Sequence, residues 1–308
     1  KVIIFGFIFT FFSSFGQSYF LGIFNTSIRE ALSISHGQFG SIYAAGTLLS
    51  SLVLIWIGKK IDEIKIFNYI LIVILLLSFS TFFFSQINSL IILFFGIFLM
   101  RLSGQGLMSH TATTTVSRYF TNSRGKSLSI VWFGLSSAEF ILPVFMVYLL
   151  QLTDWRNIWI LISVFMIIFL PIISYILIKK LEFNSREISQ QNEKEDKNIK
   201  QWSRLEVIKD HRFYIISLNM LAAPWIVTGI FVYQSFILSS KNWGPYIIAQ
   251  SFMPYSVISV LSLFLSGYLV DKFKSTKLLY FINIPLLISM IILFKFNLPI
   301  SSFFIFGI

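Results

Sequence analysis

The sequence predicts an all-α, polytopic membrane protein, and three observations carry that reading. Nine apolar runs of about twenty residues recur along the chain, each long enough for a helix to cross a bilayer, and a tenth begins at its end. Hydrophobic residues make up 56% of the chain and charged residues only 12%, with a mean hydropathy of +0.80; a soluble domain carries about 25% charge. Basic residues also favour the loops on one side. The runs are too long for barrel strands, so the spans are helices.

The expected spans are 2–24, 37–57, 66–85, 89–112, 127–150, 158–178, 213–237, 246–268 and 277–296, with the tenth starting near Pro299. Each is justified by length and by loops that hold nearly all the charge. The first is too long for the apolar core of a signal peptide, and no small-residue cleavage site follows it. The chain opens on Lys1 and ends in FFIFGI inside an apolar run, the pattern of a chain cut at both ends. If the N-terminus is cytoplasmic, 19 of the 24 Lys and Arg residues fall inside, 4 fall outside, and Arg101 lies within a span. That bias sets the topology. It also explains the net charge of +11 as an insertion signal with some attraction to anionic lipid, and removes the case for a nucleic-acid partner. There is no cysteine, hence no disulfide or thiolate metal site.

The long polar stretch 179–212 divides the chain into a six-span half, 1–178, a linker, and a second half, 213–308. It reads as solvated chain until Trp202, after which Trp202–Ile208 reads as a short amphipathic helix on the membrane surface. The halves echo one another. Gly58 and Asp62 follow the second span beside lysines, and Gly267 and Asp271 follow the eighth, 209 residues on, at the equivalent loop. Internal repeats of this kind build transporter folds.

Arg101 stands near the middle of the fourth span, where a full charge costs about 3 kcal/mol on insertion scales. It needs a polar interior, a partner or a water-filled path, and reads as a counter-charge for an anionic substrate. Gly104 and Gly106 let other backbones approach. Glu139, at similar depth in the fifth span, is the one acid inside a span. It is either a proton site or a permanent partner of Arg101, and depth alone leaves both open. Mid-depth polar groups that can line a cavity are Ser13, Ser14 and Gln17 in the first span and Tyr43 in the second. The seventh offers Asn219, Thr228, Tyr233 and Gln234, and the eighth Gln250 and Tyr255. Gln17, Gln234, Tyr233, Tyr255 and Tyr43 are the substrate-contact candidates beside Arg101, because a buried amide or phenol needs a partner. His110 reads as interfacial packing. Pro143, Pro224 and Pro254 lie within spans. No zinc-binding His pair, phosphate loop or Gly-x-Ser-x-Gly is present, so the chain is not read as an enzyme and no cofactor is expected.

At these residues the chain resembles the major facilitator superfamily of secondary transporters. Gly58…Asp62 looks like that family's signature loop, with Glu63 and Lys65 where a basic residue and a glycine are usual, and Gly267…Asp271 like its echo. Arg101-Leu-Ser-Gly-Gln105-Gly106 is similar to the fourth-span motif of proton-coupled members. Gly134…Pro143 resembles the fifth-span glycine/proline motif, and Asp154-Trp155-Arg156 the turn that opens the sixth span. Arg118-Tyr-Phe…Arg124-Gly125 resembles the loop of the monocarboxylate and oxalate/formate branches. The resemblance implies a two-bundle fold of twelve spans in full length, and a cytoplasmic gate at Asp62 and Asp271. It further implies an inner-membrane symporter working by alternating access, with a small organic anion, H⁺ and the lipid bilayer as partners. A monomer is expected. A drug or metabolite exporter of the same fold is the alternative, favoured by an unpaired Glu139. A membrane-embedded enzyme, sensor or channel is weaker still.

Overall fold

Backbone N–H and C=O groups find no water in hydrocarbon, so spanning segments satisfy them within helices. Among the described residues every regular element is helical. The structure, a computed structural model, describes residues 1–120, 124–178, 204–273 and 275–297.

The first half comprises α1 (Val2–Ser13), α2 (Ser18–Ile23), α3 (Asn25–Leu32), α4 (His36–Lys59), α5 (Ile66–Ser85) and α6 (Leu90–Met100). A π-helical segment, Arg101–Met108, joins α6 to α7 (Ser109–Tyr119), and α8 (Arg124–Leu152) and α9 (Trp155–Ile178) follow. The remainder comprises α10 (Arg204–Lys209), α11 (His211–Val232), α12 (Gln234–Ser240), α13 (Tyr246–Phe273), α14 (Ser275–Leu278) and α15 (Ile284–Lys295). Seven helices among the described residues are long and apolar enough to cross a membrane. Shorter apolar helices, Tyr246–Ser262 and Ile284–Lys295, stand where the eighth and ninth spans are expected. The tenth expected span and most of the linker lie outside the described residues. The amphipathic helix expected over Trp202–Ile208 is helical over Arg204–Lys209.

Local chemistry starts these helices where the sequence signals them. Ser35 and Gln38 form a reciprocal capping box at α4, Ser89 caps α6 and Asp210 caps α11. The fourth span, expected over 89–112, runs on to Tyr119. Its polar extension returns hydroxyls to its own carbonyls: Thr111 to Leu107 O at 2.6 Å, Thr113 to Ser109 O at 2.8 Å, and Ser117 to Thr114 O at 3.1 Å.

Within the first half, α5 packs on α9, α1 on α7 and α8, and α4 on α6. Trp159 is wholly buried, its ring 4.8 Å from Phe84, 4.9 Å from Phe24 and 5.5 Å from Phe20. It therefore ties the sixth span to the first and third. Outward faces are apolar, as at Ile91, Leu161 and Ile176, which suits a lipid solvent. The second half meets the first where α11 follows α2 and α13 lies along α8.

Candidate functional site

The first span is not one helix. It stops at Ser13, tightens through a 3₁₀ turn at Ser14–Gly16, extends at Gln17 (ψ 152°) and restarts at Ser18. The run SSFGQS supplies the cause: small and polar residues weaken the helix. Gly16 also meets Gly104 of the π-helical segment backbone to backbone. A Cβ on Gly16 would sit 2.3 Å from Met100 O, and one on Gly104 2.6 Å from Gly16 N. π-helical turns concentrate at functional sites.

Arg101 begins that segment and faces the break. Its Nη1 donates to Gly16 O at 3.0 Å and to Ser18 Oγ at 3.1 Å. A cation at the last carbonyls of a helix opposes its dipole, so Arg101 steadies the broken end of α1. The Tyr43 hydroxyl donates to the same Ser18 Oγ at 2.8 Å, and the Tyr43 ring lies 5.5 Å from the guanidinium. The side chain is buried, and its Nε has no hydrogen-bond partner among the described residues.

Arg101 lines a chamber of about 410 Å³ between the halves. Tyr43, Thr47 and Leu48 of α4 form one wall; Pro224, Trp225 and Thr228 of α11, with Tyr233, form the other. Thr47 Oγ1, also in this wall, is buried without a partner among the described residues. Such a chamber, mostly apolar with a few convergent polar groups, has the character of a small-molecule site.

Glu139 is buried elsewhere, on α8, and is not among the chamber's lining residues. Tyr19 and Phe231 each stack on Phe252 at 5.3 Å, and Tyr255 stands 6.1 Å from Phe231. None of the ion pairs among the described residues uses Glu139 or Arg101. Arg101 and Glu139 therefore form no ion pair with each other, and Arg101 instead binds Gly16 and Ser18.

One end of the chamber is held shut. Asn25 Nδ2 donates to Val232 O at 2.9 Å, Gln234 Nε2 to Tyr19 O at 3.0 Å, and Ser235 Oγ to Asn25 Oδ1 at 3.1 Å. Two glycines permit the approach. A Cβ on Gly22 would lie 2.0 Å from Phe231 O, and one on Gly40 1.8 Å from the Tyr233 hydroxyl oxygen. Gly22→Val should therefore wedge this end open. The chain has no cysteine, so a single Thr26→Cys beside Gly22 reports on it. We expect its labelling by a membrane-impermeant maleimide to rise severalfold in the Gly22→Val background; unchanged labelling of a folded variant would show that the glycine contact does not hold the end closed.

Other expected site residues are placed differently. Gln17 forms the extended link of the broken span, and Gln234 joins the halves at the shut end. Gln105 lies on the π-helical segment with its Oε1 buried and unpartnered, and Gly106 faces Leu54. Tyr255 belongs to the aromatic cluster. Asn219 donates to Leu279 O within the second half, and Gln250 is exposed. His110 Nε2 lies 3.1 Å from Gly58 O. Asp62 pairs with Arg118, so its carboxylate braces the second span to the fourth within one half. Gly267 and Asp271 fall within α13, but their side chains lie outside the described residues. Ser18, Tyr19, Gly22, Asn25 and Gly40 were not singled out from sequence; only the SSFGQS run gave a signal.

The sequence matches the Major Facilitator Superfamily over residues 6–308. Among solved structures, the fold is similar to a bacterial homologue of the human lysosomal transporter Spinster in an inward-facing, occupied conformation. The TM-score is 0.69 at 16% identity, covering 99% of this chain and 71% of the other. It is similar also to an inward-facing, unoccupied structure of such a homologue, with TM-score 0.68 at 14% identity, covering 99% and 73%. No curated protein matches the chain in sequence. With the match spanning nearly the whole chain and the fold agreeing with it, the protein belongs to the Major Facilitator Superfamily, a family of multi-pass membrane transporters.

Proposed function

We propose that the protein is a secondary transporter that moves a small organic anion by alternating access and couples it to a proton. The observation that carries this is Arg101, a buried guanidinium that lines the chamber and has no carboxylate partner among the described residues. Intramembrane charge of that kind is retained for function. The loop likeness to the monocarboxylate and oxalate/formate branches lends lesser support. Residues 1–178 and 213–308 would be the rocking halves, joined through 179–212. The basic-residue bias favours a cytoplasmic N-terminus in an inner membrane, and the end held by Asn25 is then the outer one.

Glu139 is the proposed proton carrier. A lone carboxylate is costly to bury, and a proton removes that charge. Its lack of an ion pair also favours the second reading, an exporter of neutral or cationic compounds that the acid would attract. The anion reading is preferred because Arg101, and not Glu139, lines the chamber.

The test uses the full-length protein in proteoliposomes and labelled carboxylates, with and without an imposed pH gradient. Wild type should accumulate at least one acid when the gradient is present. Glu139→Gln should keep substrate exchange across the membrane yet lose gradient-driven accumulation. Accumulation undiminished in Glu139→Gln would remove its coupling role, and uptake confined to cationic compounds would establish the exporter.

A further inference from the structure

We infer that the chamber selects monoanions with one apolar or aromatic body, and discriminates against small hydrophilic acids and against di- and tricarboxylates. This rests on the reading of Arg101 as the anion site.

The guanidinium is already partly committed. Nη1 makes both of its hydrogen bonds, to Gly16 O and Ser18 Oγ. The opposite edge carries Nε, which is buried and makes no hydrogen bond among the described residues. An edge of two parallel N–H groups fits one carboxylate in a fork geometry. Thr47, of the same wall, likewise has a buried Oγ1 with no hydrogen-bond partner among the described residues. Among the described residues that line the chamber, Arg101 is the one charged side chain. A second carboxylate would therefore be stripped of water against hydrocarbon with no cation to receive it.

The body of the ligand faces a different chemistry. Leu48, Leu221, Pro224, Trp225 and Val232 line the chamber, and Trp225 is 80% exposed, its indole surface open to a ligand. Burying each methylene there should tighten binding about fourfold, and an aromatic ring adds stacking on the indole. A short hydroxy acid gains neither and gives up the hydration of its hydroxyl.

Calorimetric titration of the full-length protein in detergent tests this with four probes: phenylacetate, cyclohexanecarboxylate, lactate and succinate. Phenylacetate and cyclohexanecarboxylate should bind at least tenfold more tightly than lactate, and succinate no more tightly than lactate. Trp225→Ala, a change at an exposed position that folding tolerates, should narrow the margin to threefold or less. Arg101→Gln should lose binding of all four. Succinate or lactate binding as tightly as phenylacetate, with Arg101 still required, would overturn the selectivity while leaving the anion reading intact. Binding of the apolar acids that survives Arg101→Gln would mark simple partition and overturn it as well. No anion bound by folded wild type would defeat the anion reading itself, and the selectivity with it.

Discussion

Arg101→Ala is expected to reduce substrate uptake about 25-fold or more in proteoliposomes. Truncating one partner of a buried, hydrogen-bonded charge pair costs about 2–5 kcal/mol, and every 1.4 kcal/mol is tenfold. The bound anion would be the partner left buried without its cation. The variant also removes two hydrogen bonds, to Gly16 O and Ser18 Oγ. Their loss should lower stability by about 1–3 kcal/mol, so the folded fraction is measured alongside uptake. Arg101→Lys separates the two roles. Lysine keeps the charge but offers a point of donation in place of a planar fork. It can hold the end of α1 or the anion, but not both in the same geometry. We expect it to restore melting temperature to near wild type and uptake only in part, with affinity reduced about tenfold. Full uptake in Arg101→Ala, with the protein folded, would leave the arginine as a brace of the first span alone.

The second large effect is on stability. Gly104→Val should prevent the first and fourth spans from docking. The added Cβ would meet Gly16 N at 2.6 Å and Gly16 Cα at 2.7 Å, and both are backbone atoms that cannot rotate away. Overpacking against movable side chains costs about 1–3 kcal/mol. Here the whole half-helix must shift, so the cost should exceed that range, and Gly104→Ala should already fall at its upper end. Gly125→Ala is the control. No atom of the described residues lies within 4 Å of a Cβ built there, and in the first turn of α8 alanine is at least as good a helix former. Thermal unfolding in detergent should therefore rank Gly125→Ala at or above wild type and Gly104→Ala well below, with Gly104→Val failing to give monodisperse protein. Equal melting temperatures for the two alanine variants would mean that the contact relaxes without cost.

How much of this was legible in the sequence follows from the range of each interaction. Spans are set by runs of apolar residues, a local property, and the seven long helices fall on the expected segments. The break in the first span was less visible. Its hydropathy is continuous, and what unwinds it is the SSFGQS run combined with a contact to Gly104, whose partner lies 88 positions away. Arg101 and Glu139 stood out because charge in hydrocarbon is conspicuous at any rotation of the helix. Whether they met depended on the rotation of two helices about their axes, which depth does not determine. Asn25 was harder still. It follows an apolar span, as a loop residue does, yet it is wholly buried and bonded to Val232 O. Gly22 and Gly40 matter because of carbonyl and phenol atoms about two hundred positions away, and nothing in their neighbourhood announces that.

The shut end also has an electrical character. Its bridging contacts are amide or hydroxyl to neutral oxygen, and glycine against a carbonyl and a phenol; no ion pair among the described residues spans the halves. Attraction between exposed charges fades over about 8 Å at physiological ionic strength, whereas neutral contacts hardly notice dissolved ions. Opening at Asn25 thus parts no ion pair between the halves, and the cation there, Arg29, whose Nε donates to Asn25 Oδ1 at 2.7 Å, stays with its own half. The Asp62–Arg118 brace, with Asp62 half exposed, joins two full charges, so it is the strut that loosens most in brine.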